Sequence, residues 1–206
     1  MGYPQLPPTT PSSCSSSCLS TLAQHLIVAC RFLGSAGRDT TAEVFKAELL
    51  QHNVHPCIVQ PAEDAGMQPS AVSVCLITPD GQRTMRTCMG AAATLSAEQL
   101  PMAPLQDCQL LHCEGYSLYK PDVLNAAVTA AKAGGAIVSL DLASFEVVRQ
   151  CQAPLFQLLE TGAVDIVFCN EDESAALADL SAARMASSAP HLPTLPSMRR
   201  ALRPAV

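Results

Sequence analysis

From residue 108 onward two kinds of segment alternate with a regularity that few folds accommodate. Short, unbroken apolar runs at 109–113, 136–142 and 164–169 are separated by stretches with helical spacing at 121–133 and 145–160. A further helical stretch runs from Glu171 to about Leu180, and Gly134-Gly135 supplies a helix stop. Strands with one wet face alternate in polarity, whereas these runs are continuous, so they predict parallel strands covered on both faces by the helices between them. That is the doubly wound α/β arrangement.

Upstream, an apolar run at 29–33 ends in Gly34-Ser35-Ala36-Gly37. The segment Thr40-Thr41-Ala42-Glu43 then has the form of a capping box before Val44, Phe45, Leu49 and Leu50 at helical spacing. Strand, turn and helix follow. Two β-rich runs at 71–78 and 83–88 flank Pro79-Asp80-Gly81-Gln82, and Asp-Gly in that setting signals a hairpin. The hairpin does not belong to the strand-helix repeat and predicts a small β flap beside the mostly parallel sheet.

The body defined by this rhythm covers residues 29–180, with the hairpin at 71–88. Residues 1–28 open with four prolines and six serines in the first twenty positions and predict a disordered or unrelated segment. Residues 181–206 carry Pro190, Pro193, Pro196 and Pro204 and no acid, and read as a disordered tail.

Charge follows the same division. All 18 acidic residues lie between Asp39 and Asp179, where only six Lys or Arg occur, a balance of −12. A body this acidic repels phosphate backbones, and no basic stripe interleaved with aromatics is present, which argues against nucleic-acid binding. No apolar stretch reaches the roughly 18 residues that span a bilayer, which argues against a membrane protein. The ten cysteines include no C-x-x-C. Most sit in apolar runs such as VSVCLIT, QLLHCEG and VDIVFCN, where a reduced thiol packs as a small hydrophobe. A reducing compartment is implied, with the cytoplasm expected and an organelle the alternative if residues 1–30 act as a transit peptide.

Ligands of open parallel sheets bind beyond the carboxyl ends of strands, so chemistry is sought at the residues just after each run. Asn170-Glu171-Asp172-Glu173 offers an amide and three carboxylates, a donor set suited to Mg²⁺ and its waters. The same residues also fit a helix cap, with Asn at the N-cap and Glu three positions on. Asp141 ends a strand where a carboxylate could hold a hydroxyl, or could cap the next helix. The turn 34–39 matches no phosphate-binding fingerprint and reads as a strand-to-helix turn, with Asp39 as a cap rather than a base.

The order of these segments resembles the ribokinase/PfkB family of carbohydrate and nucleoside kinases. The matching pieces are RFLGSAGRD at 31–39, VCLITPDGQRTM at 74–85 and MGAAATL at 89–95, followed by LLHCEGY at 110–116, AIVSLDLASFEVVR at 136–149 and VDIVFCNEDESAAL at 164–177. The resemblance implies a ribokinase-like α/β fold with a hairpin lid, present here incompletely. It places the family's Asn-x-x-Glu motif, which organises Mg²⁺ and phosphates, on Asn170 and Glu173. It also implies ATP as cofactor and a sugar or nucleoside as substrate, with Asp141, Gly90 and Arg83 as substrate-side residues.

The sequence departs from that pattern in three places. Ala92 stands where the family's Gly-Ala-Asn turn has Asn, no Gly-Gly-x-x-x-Asn turn precedes Arg31, and no Gly-Ala-Gly-Asp turn follows Leu180. That last turn carries the family's general base, so no catalytic group is assigned in this chain. The expectation is a kinase-lineage chain without turnover, a fragment or mis-spliced product. The alternatives are a non-catalytic ligand-binding module, a homodimer formed through the hairpin, or an unrelated flavodoxin-like domain.

Overall fold

The structure, a computed structural model, describes residues 29–62, 66 and 68–188. The expectations for 1–28 and for 189–206 fall outside the described residues. The chain forms two compact units, one of residues 29–109 and 122–136, the other of residues 110–121 and 137–188. No described helix is long and apolar enough to cross a membrane.

In the first unit, β1 (Cys30–Ser35) leads through a tight turn into α1 (Thr40–Gln51) and returns as β2 (Val54–Val59), parallel to β1 from Cys30↔Val54 to Ser35↔Val59. Asp39, not Thr40, is the N-cap of α1. Of the apolar residues expected on the helix face, Leu49 is buried and Phe45 packs edge-on against Phe32 with ring centroids 5.3 Å apart. Val44 and Leu50 are 68% and 58% exposed, and Ala42 takes the buried place instead, giving a stripe at 42, 45 and 49. β2 carries Pro56, which removes a donor and hides the strand from a reading by propensity.

The hairpin forms as expected, with β3 (Val72–Ile77) antiparallel to β4 (Arg83–Cys88). Gly81 sits at φ +84, and its N–H donates to Thr78 O over 2.9 Å to close the turn. All residues of both strands are exposed on both faces. Two short 3₁₀ turns follow, at Gly90–Thr94 and Ala97–Gln99, then α2 (Met102–Gln106).

The helix α3 (Pro121–Ala133) buries Leu124, Ala127, Val128 and Ala131, spaced as one helical face. Its stop works as read from the Gly pair. Gly135 adopts φ +83, and Ala136 N–H donates back to Ala131 O over 3.0 Å. Gly134 lies against α2, where a Cβ would come within 2.0 Å of Gln106 O.

The second unit is a parallel three-stranded sheet in the order β5 (Leu110–Cys113), β6 (Ile137–Asp141), β7 (Ile166–Phe168). A 3₁₀ turn, Gly115–Tyr119, follows β5. Between β6 and β7 run α4 (Phe145–Gln150) and α5 (Gln152–Glu160), where the repeat predicted one helix over 145–160. The break at Cys151 has a cause in Pro154, which cannot donate to Gln150 O and whose ring would clash with it. Proline is tolerated only in the first turn of a new helix. The last helix, α6 (Glu171–Ser188), lies against α4 and runs eight residues into the segment read as tail. No proline interrupts it before Pro190, and Ala182, Ala183, Arg184 and Met185 are good helix formers.

Val138, Leu140, Leu142, Val148 and Leu155 are wholly buried, each contributing about 1.5–3 kcal/mol by removal from water. Val138 and Leu140 share one face of β6, Leu142 lies just past its end, and Val148 and Leu155 come from α4 and α5. On the other face Leu110, Ile137, Ile166 and Phe168 remain 44–56% exposed, so this unit is not covered on both sides as the continuous runs suggested. At the start of β7, Asp165 N–H donates to Val138 O over 2.8 Å while its carboxylate accepts from Val138 N–H over 2.7 Å.

The cysteines divide by position. Cys113 and Cys151 are buried, whereas Cys75 and Cys169, expected inside apolar runs, are exposed. Cys75 lies on the two-sided hairpin, and Cys169 just past the strand tip. Cys30, Cys57, Cys75, Cys88, Cys108, Cys151 and Cys169 are free thiols.

Candidate functional site

The carboxyl ends of β6 and β7 are neighbours, since Asp141 pairs with Phe168. Asp141 therefore stands beside the segment that enters α6. Its Oδ1 accepts from Ala143 N–H over 2.7 Å, folding the tip into a turn that holds Ala143 at φ +62. The cap of α4 is Ser144, whose Oγ accepts from Val147 N–H over 3.3 Å. Asp141 is thus not that cap. The tip of β5 approaches closely: a Cβ on Gly115 would lie 2.5 Å from Asp141 O, so only glycine fits.

Asn170 and Glu173 open α6. Glu173 N–H donates to Asn170 Oδ1 over 2.9 Å, while Asn170 N–H and Nδ2 donate to the two carboxylate oxygens of Glu173 over 3.0 and 2.9 Å. The Glu173 side chain is buried. This reciprocal capping box meets orphan helix donors and fixes both side chains. The donor set is all oxygen and amide, which suits Mg²⁺ bound through its waters, a mode that needs only one or two carboxylates. Among the described residues no group of three or more His, Cys, Asp or Glu is placed to enclose a metal.

The other two sequence-picked residues lie in the first unit. Arg83 opens β4, exposed, opposite Ile77. Gly90 adopts φ +45, and a Cβ there would come within 2.1 Å of Pro69 O, so the glycine is required by the chain's own packing.

One cluster escaped the sequence reading. Asp39 caps α1 through Ala42 N–H, 2.9 Å from Oδ1, but it also accepts from Ser70 Oγ and Ser70 N–H, each over 2.7 Å. These bonds hold its carboxyl below the usual aspartate range, the Ser70 backbone N–H most of all, then the Ser70 hydroxyl and Ala42 N–H. Ser70 lies 31 positions away with no local pattern to announce it. In the second unit His112 Nδ1 and Ser139 Oγ are 2.9 Å apart on the open sheet face, with Phe168 edge-on to the imidazole.

Parallel βαβ pieces with a hairpin flap and an Asn-x-x-Glu cap at a strand tip define a ribokinase-like α/β protein. The sequence pattern of the pfkB family carbohydrate kinases matches residues 16–199, and the chain belongs to that family. Among solved structures it is similar to the adenosine kinase from Sinorhizobium meliloti, with 26% identity and a TM-score of 0.70 over 80% of this chain and 50% of that one. It is similar in fold to a probable sugar kinase protein from Rhizobium etli CFN 42, with 23% identity and a TM-score of 0.71 over 84% and 53% of the two chains. An Anopheles gambiae adenosine kinase, solved in complex with P1,P4-di(adenosine-5) tetraphosphate, is similar at 22% identity and a TM-score of 0.70 over 82% and 53%. The chain thus spans about half the length of these structures. No curated protein sequence matches it.

Proposed function

We propose that this chain carries the lid and part of the metal-nucleotide face of an ATP-dependent kinase whose acceptor is the hydroxymethyl group of a sugar or nucleoside. The observation that carries the reading is the Asn170–Glu173 pair, locked at the carboxyl end of β7 beside Asp141 at the end of β6. Mg²⁺ bound with ATP would neutralise the phosphates and polarise the transferred group. Asn170 and Glu173 would position its waters, their side chains already immobilised by each other. Asp141 would accept a hydrogen bond from an acceptor hydroxyl, its turn fixed by Ala143 N–H. Gly90 and Arg83 belong to the substrate side, Arg83 at the root of the lid turn, where closure would exclude water. Family membership supports the kinase lineage.

Binding of the metal-nucleotide is the behaviour this reading predicts of the chain. Calorimetric titration with ATP tests the reading, with and without Mg²⁺, on the native chain and on Glu173→Gln. Binding that needs Mg²⁺ and weakens in the variant supports it. ATP affinity that ignores both Mg²⁺ and the substitution would refute it.

A second reading is favoured by the hairpin, where Val72, Val74 and Leu76 share one face and are 52–64% exposed. It is a non-catalytic module that pairs with another copy through this lid. The cytoplasm fits either reading through the free thiols.

A further inference from the structure

Among the described residues the hairpin β3–β4 has no tertiary cover: all its strand residues are exposed on both faces. A two-stranded hairpin standing alone is marginal in water. Its persistence therefore depends on how its two ends are held, and both ends are held in one place. Two residues before β3, Ser70 is buried, with its N–H and Oγ on the two oxygens of Asp39 and its Oγ accepting from Gly37 N–H over 3.0 Å. Just beyond β4, Ala91 N–H donates to Pro69 O over 2.7 Å, and Ala91 O accepts from Ser35 Oγ over 3.0 Å.

The contacts are too close to slide. A Cβ on Gly37 would meet Gln68 O at 2.4 Å, and one on Gly90 would meet Pro69 O at 2.1 Å. The two root passes are thus bonded to each other, the first also to the turn between β1 and α1 and the second to the last residue of β1.

We propose that Asp39 and Ser70 form a clasp that anchors the lid hairpin, so that the segment between Ser70 and Gly90 moves as one flap on a fixed root. Nothing in this depends on the kinase reading, since it concerns how a covered root supports an uncovered hairpin. The clasp also couples α1 to the flap, because one carboxylate serves both.

Amide hydrogen exchange of the full chain tests it in Ser70→Ala and Asp39→Asn. Asparagine is as good an N-cap as aspartate, so Asp39→Asn keeps the bond to Ala42 N–H while replacing the acceptor facing Ser70 N–H with a donor. A lost hydrogen bond predicts exchange of the β3 and β4 amides faster by on the order of fivefold to tenfold, with α1 in Asp39→Asn and β5–β7 in both variants unchanged. Hairpin exchange unchanged in both folded variants would overturn the proposal, as would an equal acceleration across every element. Should Ser70→Ala fail to fold, Asp39→Asn alone decides.

Discussion

Asn170 and Glu173 occupy each other's polar groups in both directions, with three hydrogen bonds of 2.9–3.0 Å between them. The pair is therefore structural whatever else it does. Truncating Glu173 to alanine removes both acceptors of the Asn170 N–H and side-chain amide at a helix start where Asn170 itself meets water, and losing such a cap costs about 0.5–2 kcal/mol. Urea denaturation should show that loss, with Glu173→Gln recovering part of it because its carbonyl can still accept from Asn170 N–H. A Glu173→Ala chain as stable as the parent would mean that the cap contributes nothing.

Ala143 is held at φ +62 by the turn that Asp141 closes. The left-handed region costs an L residue about 1–2 kcal/mol, and glycine returns roughly 0.5–1 of that through its freer unfolded chain. Ala143→Gly is expected to raise the melting temperature by about 1–4 °C. Gly115→Ala should do the reverse, since its Cβ would sit 2.5 Å from Asp141 O, and overpacking of this kind costs about 1–3 kcal/mol. Scanning calorimetry of the two variants checks both signs.

Much of this was legible in the sequence. The Asp80-Gly81 turn, the Gly134-Gly135 stop and the parallel runs after residue 108 are local signals, and each appears where it was read. What escaped has physical reasons. Pro56 masked β2, because propensity counts proline against a strand that an edge position tolerates. Pro154 divided the 145–160 helix, which apolar spacing alone does not reveal. At the site, strand-tip logic pointed to Asp141 and Asn170, but whether Asp141 or Ser144 caps α4 depends on a turn that pattern does not encode. The bond between Asp39 and Ser70 joins residues distant in sequence, and single-chain periodicity carries no trace of it.

Self-association through the hairpin can be separated from hairpin stability by choosing the charge with care. Val74 lies opposite Arg86 on the same face of the ladder. Val74→Glu places a carboxylate across from that guanidinium, supporting the hairpin by about 0.2–1 kcal/mol while breaking its apolar face. Sedimentation velocity should show a concentration-dependent dimer in the parent and a monomer in the variant. Identical sedimentation of the two chains would remove the hairpin from consideration as an interface.

The Asp39 carboxyl, lowered chiefly by Ser70 N–H, carries a pH signature. A group whose folded value is depressed contributes stability above its unfolded value, about 3.9 for aspartate, and loses it as pH falls through the folded value. The native chain should therefore be more stable than Asp39→Asn at neutral pH, the difference shrinking only in strong acid below that range. Denaturation midpoints of both chains across the acid limb would show it. A gap that stays constant down to the acid end would mean that the charge of Asp39 is irrelevant.

Asp165 meets Val138 twice, once through its backbone and once through its side chain. A carboxylate here does the work of a missing strand residue, and it acts as a key for alignment. Were β7 to slide by two positions, every side chain would keep its face, but Ala163 or Val167 would arrive opposite Val138 with nothing to accept its N–H. The pairing that keeps Asp141 level with the entrance to α6 is thus chosen at the far end of the strands from the tips it serves.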